Sequence, residues 1–456
     1  MIIKIEVDGF KSLSDFKLEL KPGLNILVGP NGAGKTNIVL FFEFISNIVD
    51  CELSEAFSKV GGAGSILKKV GENEYQNNIK GRIIGEKTIN IVTKKPSSRE
   101  KPQEKRISYS YDFNIELSPE KVIYFSNQRL KITDNKDKII LDIEQITTPE
   151  LKTELELHTF DEKMSGLRHT LHRQGKDFDI KKMITGSLQI WNLFSNSIFN
   201  TFLRTLEPEY IYEIMADLKG GETFNIIPSE VKKSEDVAKA PGIQKNGSGL
   251  AATLYAMKRR EWRGYRYISR NFFPRYYHGY EGPEEDVLGE KTFNKIIENV
   301  RLANDSITDI DVDNDPFSNN LNVKISIKGK NEKEAILPLS QMSDGTIKWM
   351  TLITAIFTSR NIFSIEEPEN FLHPWMQSEI IKIMRNNISK MSFILMTTHS
   401  ESLLNSAIPK EIIIVSMNDG KTNAKRVKNI RAIKKEISNT GFGPGHFYIT
   451  GDLQGG

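Results

Sequence analysis

The chain has 456 residues, enough for two or three domains and a large core. Its formal net charge of +3 excludes a polybasic nucleic-acid binder, so any such surface has to be local. The single cysteine, Cys51, excludes an internal disulfide and fits a reducing compartment. With no charged leader and no apolar run of about eighteen residues, the expectation is a soluble cytoplasmic protein with no membrane partner.

The N-terminus opens on a strand-like run, Ile2-Ile3-Lys4-Ile5-Glu6-Val7. A second apolar strand, Leu24-Asn25-Ile26-Leu27-Val28, leads directly into Gly29-Pro30-Asn31-Gly32-Ala33-Gly34-Lys35-Thr36. Beyond it, Ile38 to Ile48 carries apolar residues at helical spacing. Strand, glycine loop and helix in that order turn successive backbone N–H groups toward a phosphate chain. Glycines at 29, 32 and 34 permit the bends and close approach that a Cβ would block. Lys35 is expected on the β- and γ-phosphates and the Thr36 hydroxyl on Mg²⁺, which predicts binding of a nucleoside triphosphate.

Residues 79–93 and 107–125 alternate like strands, joined by a polar loop through Lys94-Lys95-Pro96 to Pro102. Residues 149–218 read as helices, with Ile190, Leu193, Phe194, Ile198 and Leu203 as a core face. A local basic surface is offered by Lys258, Arg259, Arg260, Arg263 and Arg266, continuing to Arg270 and Arg275, with Trp262, Tyr265 and Tyr267 interleaved. Arginine with aromatics can neutralise phosphates and stack bases, so DNA contact is one reading of it. The other is a solvated charged helix whose aromatics pack inward. Residues 305–337 return to strands, as in Leu321-Asn322-Val323-Lys324-Ile325-Ser326-Ile327.

Three later segments narrow the class. Ser343-Asp344-Gly345 stands at the start of an apolar helix pattern, Ile347 to Phe357, where a hydroxyl, a glycine and the helix dipole can make a second anion site. Next, Ile362-Phe363-Ser364-Ile365 delivers Glu366 and Glu367 at a strand's carboxyl end, ahead of Pro368-Glu369-Asn370. Ligands sit there in parallel α/β sheets. Glu366 suits the Mg²⁺ shell and Glu367 a general base for the attacking water. Finally, Phe393 to Thr398 ends on His399-Ser400, which places a histidine where it can hydrogen-bond a γ-phosphate.

In this order the motifs resemble the ABC-type ATPase heads of the RecF, SMC and overcoming-lysogenisation (OLD) group. The opening Ile5-Glu6-Val7-Asp8-Gly9-Phe10-Lys11-Ser12-Leu13 and the stretch Asn246-Gly247-Ser248-Gly249-Leu250 are similar too. The resemblance implies an α/β fold: an ABC-type P-loop ATPase head, a mixed sheet flanked by helices, with a helical insertion. Its parts would be an N-terminal lobe with the P-loop (1–148), the insertion (149–235), and a C-terminal lobe with Ser343-Asp344-Gly345, Walker B and the His399 switch (236–456). It also implies two ATPs sandwiched between head-to-tail subunits, Ser343, Asp344 and Gly345 of one touching the nucleotide on the other's P-loop. Asn370 to His373 take the D-loop position at the dimer seam, with His373 where many relatives carry Asp. Gln128 is the candidate for a Q-loop glutamine. Assemblies above the dimer need a second interface, for which residues 149–218 are the candidate.

The gap from Thr36 to Ser343 is long for a transporter domain and lacks the sustained heptads of SMC or Rad50 coiled coils. OLD nucleases carry a C-terminal Toprim domain with a D-x-D motif, and none follows His399. The expectation is therefore an ATPase scaffold for a separately encoded nuclease or toxin, as in the Septu and PARIS anti-phage systems. Two alternatives stand beside it: a RecF-like repair ATPase that clamps double-stranded DNA unaided, and a regulatory scaffold that holds ATP with little turnover.

Overall fold

The computed structural model describes residues 1–72, 74–91, 103–161, 193–200, 209–219, 222–259, 289–329, 333–358, 362–388, 392–451 and 453. Two compact units emerge, one of Met1–Gly221, Lys390–Phe393 and Ile413–Arg426, the other of Glu222–Ser389, Ile394–Ile412 and Val427–Gly456.

The first unit is built on an antiparallel seven-stranded sheet of order β2-β1-β4-β5-β6-β7-β8. Its strands are β1 (Ile2–Asp8), β2 (Phe16–Glu19), β4 (Asn78–Ile91), β5 (Gln103–Leu117), β6 (Ile123–Asp134), β7 (Ile139–Thr147) and β8 (Thr153–Phe160), while β3 (Gly23–Val28) lies outside it. Alternation drives the long strands: Tyr109, Tyr111, Phe113 and Ile115 of β5 are all buried, each two residues from the next. Helix α1 (Lys35–Asp50) follows the glycine loop and buries Ile38, Phe41, Phe42, Phe44, Ile45 and Ile48. Phe10 meets Phe41 and Phe44, each with ring centroids 5.4 Å apart. Each such fully buried side chain contributes about 1.5–3 kcal/mol. Helix α2 (Glu209–Lys219) packs beside α1, where the Ser46 hydroxyl donates to the Lys219 carbonyl at 3.2 Å.

Strand β8 corrects the helical reading of this region. Thr153-Glu154-Leu155-Glu156-Leu157-His158 alternates with period two and pairs antiparallel with β7, so the sheet's edge captures it. Leu193 and Ile198 are buried as expected of a core face, and Phe194 is half-buried; Phe199 beside them packs on the sheet, edge-on against Tyr111 with centroids 4.9 Å apart. Ile190, Leu203 and the polar loop through Lys94 to Pro102 lie outside the described residues.

The second unit holds a parallel set, β9 (Glu222–Phe224), β14 (Ile362–Glu366) and β15 (Phe393–Thr398), with β14 in the middle. Its antiparallel sheet comprises β10 (Glu235–Asp236), β11 (Ile307–Asn314), β12 (Asn320–Ile327) and β13 (Ala335–Pro338), as the strand pattern of 305–337 predicts. The helices include α3 (Leu250–Arg259), α4 (Glu290–Ala303), α5 (Asp344–Thr358), α6 (Pro374–Asn387) and α7 (Glu401–Asn405). Helix α5 is the core: Ile347, Trp349, Met350, Leu352, Ile353 and Ala355 are buried, and the Trp349 indole N–H donates to the Asn299 carbonyl of α4 at 2.8 Å. Late in the chain, β16 (Ile412–Asn418) and β17 (Lys421–Arg426) form a hairpin that belongs, from Ile413 on, to the first unit, where β16 lies beside β3. Among the described residues no helix is long and apolar enough to cross a membrane.

Candidate functional site

The glycine loop joins β3 to α1, as predicted, and its surroundings explain the glycines. Gly34 has φ +98°, and a Cβ there would sit 1.9 Å from the Thr422 hydroxyl of β17. A Cβ at Gly29 would stand 2.1 Å from the Val415 carbonyl of β16. The hairpin thus braces the loop from behind, pinned by Ser12, whose hydroxyl lies 2.6 Å from that of Thr422 and accepts from Asn37 Nδ2 at 2.7 Å. Pro30, Asn31, Gly32 and Thr36 are exposed, whereas Ala33 is buried. The Lys35 ammonium is buried and donates to the carbonyls of Gly29 at 2.8 Å and Pro30 at 3.1 Å.

Gly34 is the N-cap of α1 and offers no side-chain acceptor to the first-turn N–H groups. A helix N-terminus so exposed, with an ammonium at its base, fits a polyphosphate. Gly34→Ala is therefore expected to lower the melting temperature and weaken nucleotide binding. The left-handed backbone alone costs about 1–2 kcal/mol for a side-chain-bearing residue. Adding Thr422→Ala should recover only the steric part; full recovery in the double variant would show that the backbone geometry costs nothing.

The remaining candidates belong to the second unit. Ser343 caps α5: its hydroxyl oxygen accepts the Thr346 N–H at 3.2 Å. Asp344 pairs with Lys232 at 2.8 Å, and a Cβ on Gly345 would approach the Phe371 carbonyl to 2.7 Å, so this position needs glycine for contact with the turn after β14. Ser343 and Asp344 remain exposed at the helix start.

Glu366 ends β14 with 9% exposure, opposite Thr397 of β15. Glu367 follows in a left-handed conformation, φ +43°, with its N–H donating to the Thr397 carbonyl at 3.0 Å. Its carboxylate accepts from Asn370 Nδ2 at 2.9 Å and lies 3.8 Å from His399 Nε2. Parallel pairing of β14 with β15 is what brings His399 beside Glu367, although thirty-two positions separate them in sequence. Among the described residues no cluster of three His, Cys, Asp or Glu is placed to hold a metal ion by itself.

Four side chains around this turn carry no role in the sequence reading: Lys348, Glu369, Gln377 and Ser400. Glu369 Oε1 accepts the Thr398 hydroxyl and the His399 N–H, both at 2.8 Å. Gln377 donates to the Leu372 carbonyl at 2.9 Å and accepts from the Ser400 hydroxyl at 2.6 Å. Lys348 was visible in principle, as a lone cation inside an apolar helix pattern. His373 does local work: its Nδ1 accepts the Trp375 N–H at 3.3 Å and caps α6.

Gln128 is committed to structure. It is fully buried, accepts from the Tyr111 hydroxyl at 2.7 Å and the Ile198 N–H at 3.0 Å, and donates to the Asn196 carbonyl at 3.0 Å. Of the basic segment, Lys258 ends on α3 in an ion pair with Asp311 of β11. Arg259 closes that helix, while Arg260, Arg263 and Arg266 lie outside the described residues.

Comparison with known proteins adds the following. A family profile described as an AAA ATPase domain matches residues 1–249. A second, described as an AAA domain, putative AbiEii toxin, type IV toxin–antitoxin system, matches residues 195–405. Among solved structures the chain is similar to an SMC head bound to the C-terminal winged-helix domain of ScpA, at 14% identity over 94% of this chain and 99% of that one, TM-score 0.44. It is also similar to the SMC head domain from Thermotoga maritima, at 12% identity, 94% and 99% coverage, TM-score 0.40.

Proposed function

The chain belongs to the AAA ATPase domain family, whose profile spans residues 1–249, and from that premise we propose that it hydrolyses ATP with Mg²⁺ in an ATP-sandwiched, head-to-tail dimer. The observation that carries the reading is Glu367, held left-handed at the carboxyl end of β14 with His399 3.8 Å from its carboxylate. A side-chain-bearing residue in that conformation costs energy, and such strain collects where a carboxylate has to point at a reacting group.

Bound ATP and Mg²⁺ supply the phosphoanhydride and the charge that neutralises it. Gly29, Pro30, Asn31, Gly32, Ala33 and Gly34 wrap the phosphates, and Lys35 turns its ammonium from the loop carbonyls to the phosphate oxygens. Thr36 and Glu366 are the residues that would hold the metal. Glu367 accepts the proton of the attacking water, and His399 hydrogen-bonds the terminal phosphate. Ser343, Asp344 and Gly345 complete the nucleotide site of the opposite subunit. Exposed Phe371 and Trp375, at 59% and 44%, provide apolar surface beside the proposed seam.

We further read the dimer as the scaffold of a separately encoded nuclease or toxin in anti-phage defence. The toxin–antitoxin description of the profile over residues 195–405 supports this. One experiment addresses both levels: express the tagged chain with its neighbouring genes and weigh the native complex with and without a non-hydrolysable ATP analogue. The expected result is an ATP-dependent even-numbered assembly carrying a stoichiometric second protein. Ser343→Arg should bind ATP normally yet stay monomeric, because the arginine projects into the seam. Unchanged assembly of that variant overturns the shared site, and a bare dimer overturns the effector.

A further inference from the structure

Helix α5 places one charged side chain in the core of the second unit. Lys348 is 1% exposed among Ile347, Trp349 and Leu352, and its ammonium donates to the Glu367 carbonyl at 3.1 Å. It also lies 5.9 Å from the centroid of the Phe371 ring. Burial pulls its pKa down to about 8, against the opposing attraction of Glu369 and Glu367. A buried ammonium is costly unless its hydrogen bonds matter.

The turn it reaches is strained twice over. Glu367 has φ +43° and Phe371 φ +67°, two left-handed side-chain-bearing residues within five. Each costs on the order of 1–3 kcal/mol and persists only where neighbours hold it. Glu369 lies between them. One of its oxygens holds the Thr398 hydroxyl and the His399 N–H; the other, Oε2, is buried with no hydrogen-bond partner. That second oxygen has no donor of its own, so Glu369 is held by the turn whose Glu367 carbonyl Lys348 anchors at 3.1 Å.

We infer that Lys348 and Glu369 are positioning residues that act as one unit. Lys348 anchors the Glu367 carbonyl and so aims its carboxylate, while Glu369 ties the backbone of His399 to the same turn. The base and the phosphate-sensing histidine then move together, and movement at His399 is passed to Asn370–His373 at the proposed seam. This rests on the reading of Glu367 as the base.

The test uses the full chain: steady-state ATP turnover, equilibrium binding of a fluorescent ATP analogue, and a thermal melt for Lys348→Met, Lys348→Arg, Glu369→Gln and the Lys348→Met/Glu369→Gln double variant. Misaiming a reacting group by about 1 Å lowers turnover on the order of 100-fold. The expected result is kcat down by about 10–100-fold in both Lys348→Met and Glu369→Gln, with nucleotide Kd unchanged. The double variant should be no slower than the worse single, and Lys348→Arg should restore part of kcat. Should Lys348→Met not fold, Glu369→Gln carries the same comparison. Wild-type kcat in a folded Lys348→Met or Glu369→Gln, additive losses in the double variant, or no rescue by arginine would overturn the pair. Absence of turnover in the wild type would instead overturn the reading of Glu367, a distinct result.

Discussion

Glu367→Gln is expected to lower ATP turnover by roughly 100- to 10,000-fold, the range general-base catalysis supplies, while ATP stays bound. Glutamine keeps the size of the side chain and can still accept from Asn370 Nδ2. The contacts that set the turn are to the backbone, the Glu367 N–H on the Thr397 carbonyl and Lys348 on the Glu367 carbonyl, and neither changes. The variant therefore loses only the proton acceptor. Because hydrolysis is what would release the sandwiched dimer, it should also accumulate as a stable ATP-bound assembly. Phosphate release and native mass measured on the same sample check both halves. Normal turnover would show that another group takes the proton.

The second large effect is expected at Lys35. Lys35→Ala should raise the Kd for ATP on the order of 100-fold, since a hydrogen bond to a charged group contributes about 1.5–3 kcal/mol and each 1.4 kcal/mol is tenfold. In the protein as it stands this ammonium holds the Gly29 and Pro30 carbonyls, so its loss also loosens the loop. Two measurements separate these effects: calorimetric titration reports affinity, and the melt without nucleotide reports the loop. Lost affinity with a nearly unchanged melt assigns Lys35 to the phosphate. Wild-type affinity would overturn the phosphate-loop assignment.

Much of this was legible from sequence because the chemistry is contiguous. Strand, glycine loop and helix need only residues 24–48, and the spacing of the glycines already encodes the backbone they require. The carboxylates at 366 and 367 were equally readable, since a short apolar strand that ends on acids places them at that strand's carboxyl end whatever surrounds it. The end of the first sheet was less so. Thr153–Phe160 has a period of two, but it becomes a strand because β7 offers an open edge, and a partner is not written in the segment itself. Gln128 shows the converse: a polar residue in a promising position is buried by Tyr111 and the segment at 196–198, which come from elsewhere in the chain.

The sequence by itself determined the strand, glycine loop and helix over residues 24–48 and membership of an ATPase domain family, since the loop depends on residues within a few positions of one another. Only the tertiary structure decided how the second unit's site is held. Lys348, Glu367, Glu369 and His399 come from a helix, the turn after one strand and the end of another. What assembles them is the register that sets Glu366 opposite Thr397, together with the close packing of Gly345 on the Phe371 carbonyl. Burial then acts on the assembled group: in water Lys348 would be an ordinary exposed charge, but the core strips its solvent and leaves the Glu367 carbonyl as its hydrogen-bond partner.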